Sequence, residues 1–164
     1  MLRSIATNPT LCNAQTFDGY ALLHSAAAQG NLEVVKTLLK VATIDANVQD
    51  NAGHTPLGFA SSGGHLDVVH LLLEQLGANG DAAALARAVN VIDVHGHGPL
   101  FGAVDRRKRD LIAPLMAAGA NFEQIDENRC LPVLFLRCVL YNHKTTCRLV
   151  HQAYTSFLGK ALRV

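Results

Sequence analysis

The sequence predicts an all-α solenoid, antiparallel helix pairs stacked side by side and joined by β-turn or hairpin loops, on three observations. The stretch "FDGYALLHSAAAQGNLEVVKTLLK" from Phe17 to Lys40 returns as "NAGHTPLGFASSGGHLDVVHLLLEQLGA" from Asn51 to Ala78, with Gly19 aligned on Gly53 at an offset of 34 residues. Further copies open at Gly96, 43 residues on, and at Arg129, 33 beyond that. Within the copies, short apolar patterns at helical spacing alternate with polar, glycine-bearing segments such as "DANVQDNAGH" and "VNVIDVHGHG". One helix pair cannot cover its own apolar face, so such a period means that neighbouring units share one continuous core.

Taken in order, residues 1–15 read as the tail of a preceding unit, because Asn13 and Gln15 match Asn47 and Gln49. The same opening carries Arg3, Ser4 and threonines without an acid, which is also the composition of a mitochondrial presequence. The first unit covers residues 16–49 and the second 50–92. In the second, Pro56 suits a first helical turn, where its missing N–H had no partner. Leu57, Ala60 and Ser61 follow at i, i+3 and i+4, a stripe of small and medium side chains that permits close approach. Ser62-Gly63-Gly64 ends that helix. A second helix opens near His65 and carries Leu66, Val69, Leu72 and Leu73 on one face, matched in the first unit by Leu32, Val35, Leu38 and Leu39. The longer offset makes room for an insertion at residues 80–89, "GDAAALARAV", where Asp81 can cap and alanine and leucine favour one or two helical turns. The third unit, 93–125, puts Pro114 inside its second helix, which predicts a kink or a late start. The fourth, 126–164, gathers Cys147, Val150, Tyr154, Leu158, Ala161 and Leu162 into one stripe, a longer helix that caps the array. Together the units make a single domain over residues 1–164.

These units resemble ankyrin repeats. In the second, Gly53, Thr55, Pro56, Leu57, Ala60, Gly64, His65, Val68, Val69, Leu71, Leu72, Leu73, Gly77 and Ala78 match the family pattern. In the first, Gly19, Leu23, His24, Ala26, Ala27, Gly30, Val34, Val35, Leu38 and Leu39 do. The resemblance spans residues 13–150 and fades toward the C-terminus. It implies an ankyrin-repeat solenoid that holds other proteins on a concave surface made of hairpin tips and the exposed sides of the first helices. It also implies a polar link between the family's Thr and His, which this chain splits. The first unit keeps His24 with Ala21 in place of threonine, the second keeps Thr55 with Gly58 in place of histidine, and the third has Gly98 and Phe101. Modest stability is expected, each lost hydrogen bond being worth about 1 kcal/mol. By the same resemblance His24 and His65 are structural, whereas His70 reads as a solvated helix residue. The third unit replaces Gly-His by Arg107-Lys108.

Composition narrows the chemistry. A formal charge of +1 gives no whole-molecule field that would hold nucleic acid or an acidic membrane, so nucleic acid is not the expected partner. No apolar run reaches the ~18 residues of a membrane span. The four cysteines form no CxxC pair, in keeping with a reducing compartment; cytoplasm or nucleus is expected, with mitochondrial import the alternative. No phosphate-binding or dinucleotide glycine motif and no nucleophile elbow is present, so the expectation is a protein without catalytic residues, cofactor or small-molecule substrate. The best metal candidates are His95 and His97 with His54. Adjacent repeats lie about one helix diameter apart, ~10 Å, too far for a shared ligand set, and no metal site is expected.

The expected partner is therefore a protein, bound by a monomer. Candidate contacts are Phe17, Asp18 and Tyr20 on the first tip, Asn51, Ala52 and His54 on the second, Val94, His95 and His97 on the third, and Glu127 and Asn128 on the fourth, with Gln29, Ser62 and Arg106 at the helix ends. Phe17 and Tyr20 are the preferred anchors, since aromatic side chains bury much area at little entropic loss. The competing reading has Phe17 covering the N-terminal face of the stack. Two further functions stay open. The array could recognise substrates for a larger multidomain enzyme or channel, or bind an acidic partner, nucleic acid or lipid through a basic face in the C-terminal half, beginning with "DRRKRD" at residues 105–110.

Overall fold

The computed structural model describes residues 12–78 and 80–121. The fourth unit with its capping helix, Glu127 and Asn128, and residues 1–11 lie outside the described residues. Within them the chain forms seven α-helices: α1 Leu22–Ala28, α2 Leu32–Leu39, α3 Pro56–Gly63, α4 Leu66–Leu76, α5 Ala82–Val89, α6 Pro99–Asp105 and α7 Ile112–Ala117. They pair as α1/α2, α3/α4 and α6/α7, and the inner helix α3 packs against both α1 and α6. One antiparallel bridge, Gln15 with Ala21, is the β pairing seen among the described residues. The fold is the all-α solenoid that the repeat period predicts.

Each inner helix exposes how the sequence sets it. Thr55 accepts a hydrogen bond on Oγ1 from Gly58 N at 3.1 Å, and Pro56 follows in the first turn. Leu57, Ala60 and Ser61 are fully buried, so the predicted stripe is the contact face of α3. On the outer helices Val35 and Leu38, then Val68, Val69 and Leu72, are buried, while Leu32, Leu39, Leu66 and Leu73 flank them half-buried. The core runs unbroken from Leu23 through Leu57 and Leu72 to Leu100 and Leu115.

Two local departures follow from single residues. Asp81 accepts from Ala83 N and Ala84 N at 2.9 and 3.0 Å, so the insertion folds as α5 and buries Val89 at its end. In the third unit the outer helix starts late: residues Arg109–Leu111 form a 3-10 turn and α7 begins only at Ile112. Pro114 has no N–H to bond back one turn, which disfavours α-helix over the residues before it.

The helix–helix turns show one backbone shape carried by different chemistry. Gly30 and Gly64 sit there at φ 67 and 85, and Arg107 takes the same place at φ 60. A side chain in this left-handed region costs roughly 1–2 kcal/mol, which glycine avoids. The following residue closes over the previous unit's turn. His65 lies over Gly30 and donates from Nε2 to Ala28 O at 3.0 Å, and Lys108 lies over Gly64.

Candidate partner-binding surface

The tips of three hairpins, residues 16–20, 50–54 and 93–97, stand side by side. Each is closed by a backbone bond from its first residue: Thr16 N to Tyr20 O at 3.0 Å, Asp50 N to His54 O at 3.1 Å and Asp93 N to His97 O at 3.1 Å. The fourth residue of each tip, Gly19, Gly53 or Gly96, has φ between 75 and 84, which explains the glycine that anchors the repeat alignment. Neighbouring tips are tied by Asn51 N to Asp18 O at 3.0 Å, Asn51 Nδ2 to Phe17 O at 3.0 Å and Val94 N to Ala52 O at 2.9 Å. The tips are thus tied into one row by backbone and side-chain hydrogen bonds.

Beneath the tips, Asp50 and Asp93 organise the loops. Asp50 Oδ1 accepts from Ala52 N at 3.0 Å and His54 N at 2.8 Å; Asp93 Oδ1 accepts from His95 N and His97 N, both at 2.8 Å. Their second oxygens face imidazoles. His54 sets Nδ1 3.0 Å from Asp50 Oδ2 and Nε2 3.4 Å from Asp93 Oδ2, and His97 Nδ1 lies 3.7 Å from Asp93 Oδ2. The His54 ring thus spans the gap between the second and third tips. Among the described residues no three His, Cys, Asp or Glu side chains converge as a metal would require. Neither aspartate was among the candidate residues, although the pattern Asp-x-x-Gly-His, present at Asp50 to His54 and again at Asp93 to His97, marks both.

Aromatic rings line the face behind the tips. Tyr20 meets His24 and Phe59 with ring centroids 5.1 and 5.3 Å apart, Phe59 also meets His54 at 5.1 Å, and His97 stacks flat on Phe101 at 3.9 Å. Burial, then the charge of Asp50, pushes the Tyr20 hydroxyl above its ordinary range. Between the second and third units lies a cleft of about 420 Å3, bordered by Gly58, Phe59, Ser62, Phe101, Asp105 and Arg106 among others.

The sequence candidates fall into distinct groups here. Phe17 is 99 % exposed and so covers no face of the stack; Val94 at 65 % stands clear on the third tip. Asp18 and His95 are exposed beside them, and Gln29 is exposed at the end of α1, donating to Ser25 Oγ. Tyr20, His54 and His97 form the half-buried floor, while Ser62 and Arg106 edge the cleft. Asn51 is exposed, but its amide is committed to Phe17 O, and Ala52 contributes its backbone to the tie with Val94. Phe59 went unmarked in the sequence, because the rings that it meets, Tyr20, His24 and His54, come from the first unit and from the hairpin tip. His24 and His65 are structural, and His70 is exposed on α4.

A family model described as "Ankyrin repeats (3 copies)" matches residues 2–84 and 23–126. The E3 ubiquitin-protein ligase KEG of Arabidopsis thaliana is 24% identical over 94% of this chain, a match that covers 11% of the ligase. Protein phosphatase 1 regulatory subunit 27 of Homo sapiens is 47% identical over 39% of the chain and 40% of its own length. The mitochondrial liver isoform of glutaminase from Mus musculus is 38% identical over 43% of the chain and 12% of its own length. The chain therefore spans less than half the length of each of these relatives. Among the described residues no helix is long and apolar enough to cross a membrane.

Proposed function

This chain belongs to the ankyrin repeat family, and from that premise we propose that it is a non-catalytic module holding a protein partner on the concave face formed by the hairpin tips and inner helices. Ankyrin repeats are in general protein–protein interaction modules. The observation that carries the reading is the fixed row of tips with Phe17 and Val94 exposed on it, above a floor of Tyr20, His54, Phe59 and Phe101. Exposed apolar side chains on a rigid edge, backed by half-buried rings, give the apolar centre and polar rim of an interface. The test is affinity capture with three baits: the wild type, Phe17→Ser with Val94→Ser, and His70→Ala on the opposite side. A protein held by the first and third baits and lost by the second supports the reading. A protein lost only by the His70 variant contradicts it.

A second reading takes support from the relatives' size. The match to KEG covers 11% of that ligase, so an array of this kind also occurs as one part of a much longer protein. In that setting the concave face captures a client and another domain acts on it. Sequencing the complete transcript decides between them: a reading frame that continues into a catalytic domain favours the adaptor.

A further inference from the structure

We propose that His54 is a pH-sensitive clip between the second and third hairpin tips: as an imidazolium it holds Asp50 and Asp93 together, and loss of its proton loosens that junction. The Asp50 and Asp93 side chains are only 9 % and 7 % exposed. Each has one oxygen taken up by two backbone N–H groups of its own tip. Their other oxygens flank a single ring, Asp50 Oδ2 at 3.0 Å from His54 Nδ1 and Asp93 Oδ2 at 3.4 Å from Nε2. A neutral imidazole carries a proton on one nitrogen and a lone pair on the other, whereas the imidazolium donates from both. With a neutral ring, one nearly buried carboxylate would face a lone pair, so the bridging geometry belongs to the cation. Imidazoles exchange their proton between about pH 5 and 8, which places the change in the physiological range.

The groups around the ring come from several elements. On the third tip, His97 Nδ1 lies 3.7 Å from Asp93 Oδ2, a second and longer contact for that carboxylate. On α1, His24 donates to His54 O, and a charged His54 disfavours a second charge at His24. On the first tip, the Tyr20 hydroxyl is pushed up by burial and by Asp50, so it stays neutral while imidazoles titrate. Asp105 and Arg106, 3.8 Å apart, line the same cleft as His54. The gap between the first and second tips is built differently. Thr16 and Tyr20 stand there in the places of Asp50 and His54. Yet both gaps are crossed by the same backbone bond, Asn51 N to Asp18 O at 3.0 Å and Val94 N to Ala52 O at 2.9 Å. One of these bonds lies beside the clip and the other away from it.

Amide hydrogen exchange of the full chain, followed by nuclear magnetic resonance at about pH 6 and about pH 8 and corrected for the intrinsic rate at each pH, reads both bonds without any partner. Protection of the Val94 N–H is expected to fall roughly two- to fivefold between the two conditions, the size of a partly exposed ion pair. That of the Asn51 N–H stays level. Two variants remove the clip and keep the tip backbone. His54→Gln takes away the ionisable ring; Asp93→Asn keeps the oxygen that accepts from His95 N and His97 N and replaces the charged one that faces His54. In both, Val94 protection is the same at the two pH values and close to that of the wild type at the higher one. His97→Gln retains the fall. Equal Val94 protection in the wild type, a fall that survives His54→Gln or Asp93→Asn, a fall lost in His97→Gln, or one shared equally by Asn51 would each overturn the proposal.

Discussion

The first and third units begin their inner helices in contrasting ways. In the first, His24 is fully buried; its Nδ1 accepts from Ala21 N at 2.9 Å, which leaves Nε2 to donate to Val48 O and His54 O at 3.0 and 3.1 Å. One ring therefore caps α1 and binds the next hairpin. The corresponding residue of the third unit, Phe101, is half-buried and stacks on His97 at the surface. In the second unit the position is Gly58, with nothing to bury at all. The open cleft lies between Gly58 and Phe101. Where a histidine holds the junction its ring is buried and bonded to the next hairpin, and where the position is Gly58 a cleft lies against Phe101.

The largest effect should come from removing the lock. His24→Ala takes the ring's bond from the Ala21 N–H and from the half-buried carbonyl of Val48, while His54 O keeps its bond from Asp50 N, and it also empties a fully buried site; it is expected to cost roughly 2–3 kcal/mol, whereas Phe101→Ala should cost about 1 kcal/mol. Urea midpoints for the two variants check this, and equal losses would break the comparison. The same lock predicts a pH dependence. Burial, partly opposed by the carbonyls of His54 and Val48, holds His24 below the ordinary imidazole range. The unfolded chain takes up this proton at about pH 6.5, before the folded one does. The stability that His24 contributes is thus complete above that pH and lost as pH falls toward the folded value. A nuclear magnetic resonance titration of the His24 ring with a midpoint above the ordinary value would contradict it.

Much of this architecture was legible in the sequence, for local reasons. Thr55-Pro56, the stripe of Leu57, Ala60 and Ser61, Asp81 before an alanine run, and Pro114 each act within a turn or two of their own position, and each does in the structure what propensity and capping rules assign. The site was legible only in outline. The tips follow from the glycine spacing, but the row from Asp50 through His54 to Asp93 joins residues of different units, and single-residue reasoning about spacing could not bring them together. The free space at Gly58 likewise needed the neighbouring α6 to become a cleft.

Smaller changes sharpen the contrast between turns and between inner helices. Arg107→Gly should raise stability by roughly 1 kcal/mol through relief of the left-handed backbone, read as a higher midpoint in urea. Gly58→His tests the missing lock directly. A Cβ at Gly58 meets Thr55 Oγ1 at 3.5 Å, an ordinary contact, so the backbone there accepts a side chain. The substitution should raise stability modestly, by roughly 0.3–0.5 kcal/mol of helix propensity, read as a higher melting temperature, and reduce capture of a partner by filling the cleft. A comparably small effect is expected at Ser61, whose buried Oγ has no hydrogen-bond partner among the described residues. Ala27 occupies the same place in the first unit, also fully buried. Ser61→Ala should therefore stabilise by about 0.5–1 kcal/mol, and a loss of that size would show that the hydroxyl is satisfied.

Site-specific photocrosslinking tests the claim that the tips are the docking edge. A photoreactive phenylalanine analogue is placed in turn at Phe17, Val94 and His70, and adducts are resolved by mass after irradiation in cells. The account predicts a protein adduct of one mass from positions 17 and 94 and none of that mass from position 70. An adduct formed at His70 alone would put the partner on the outer helices and contradict it.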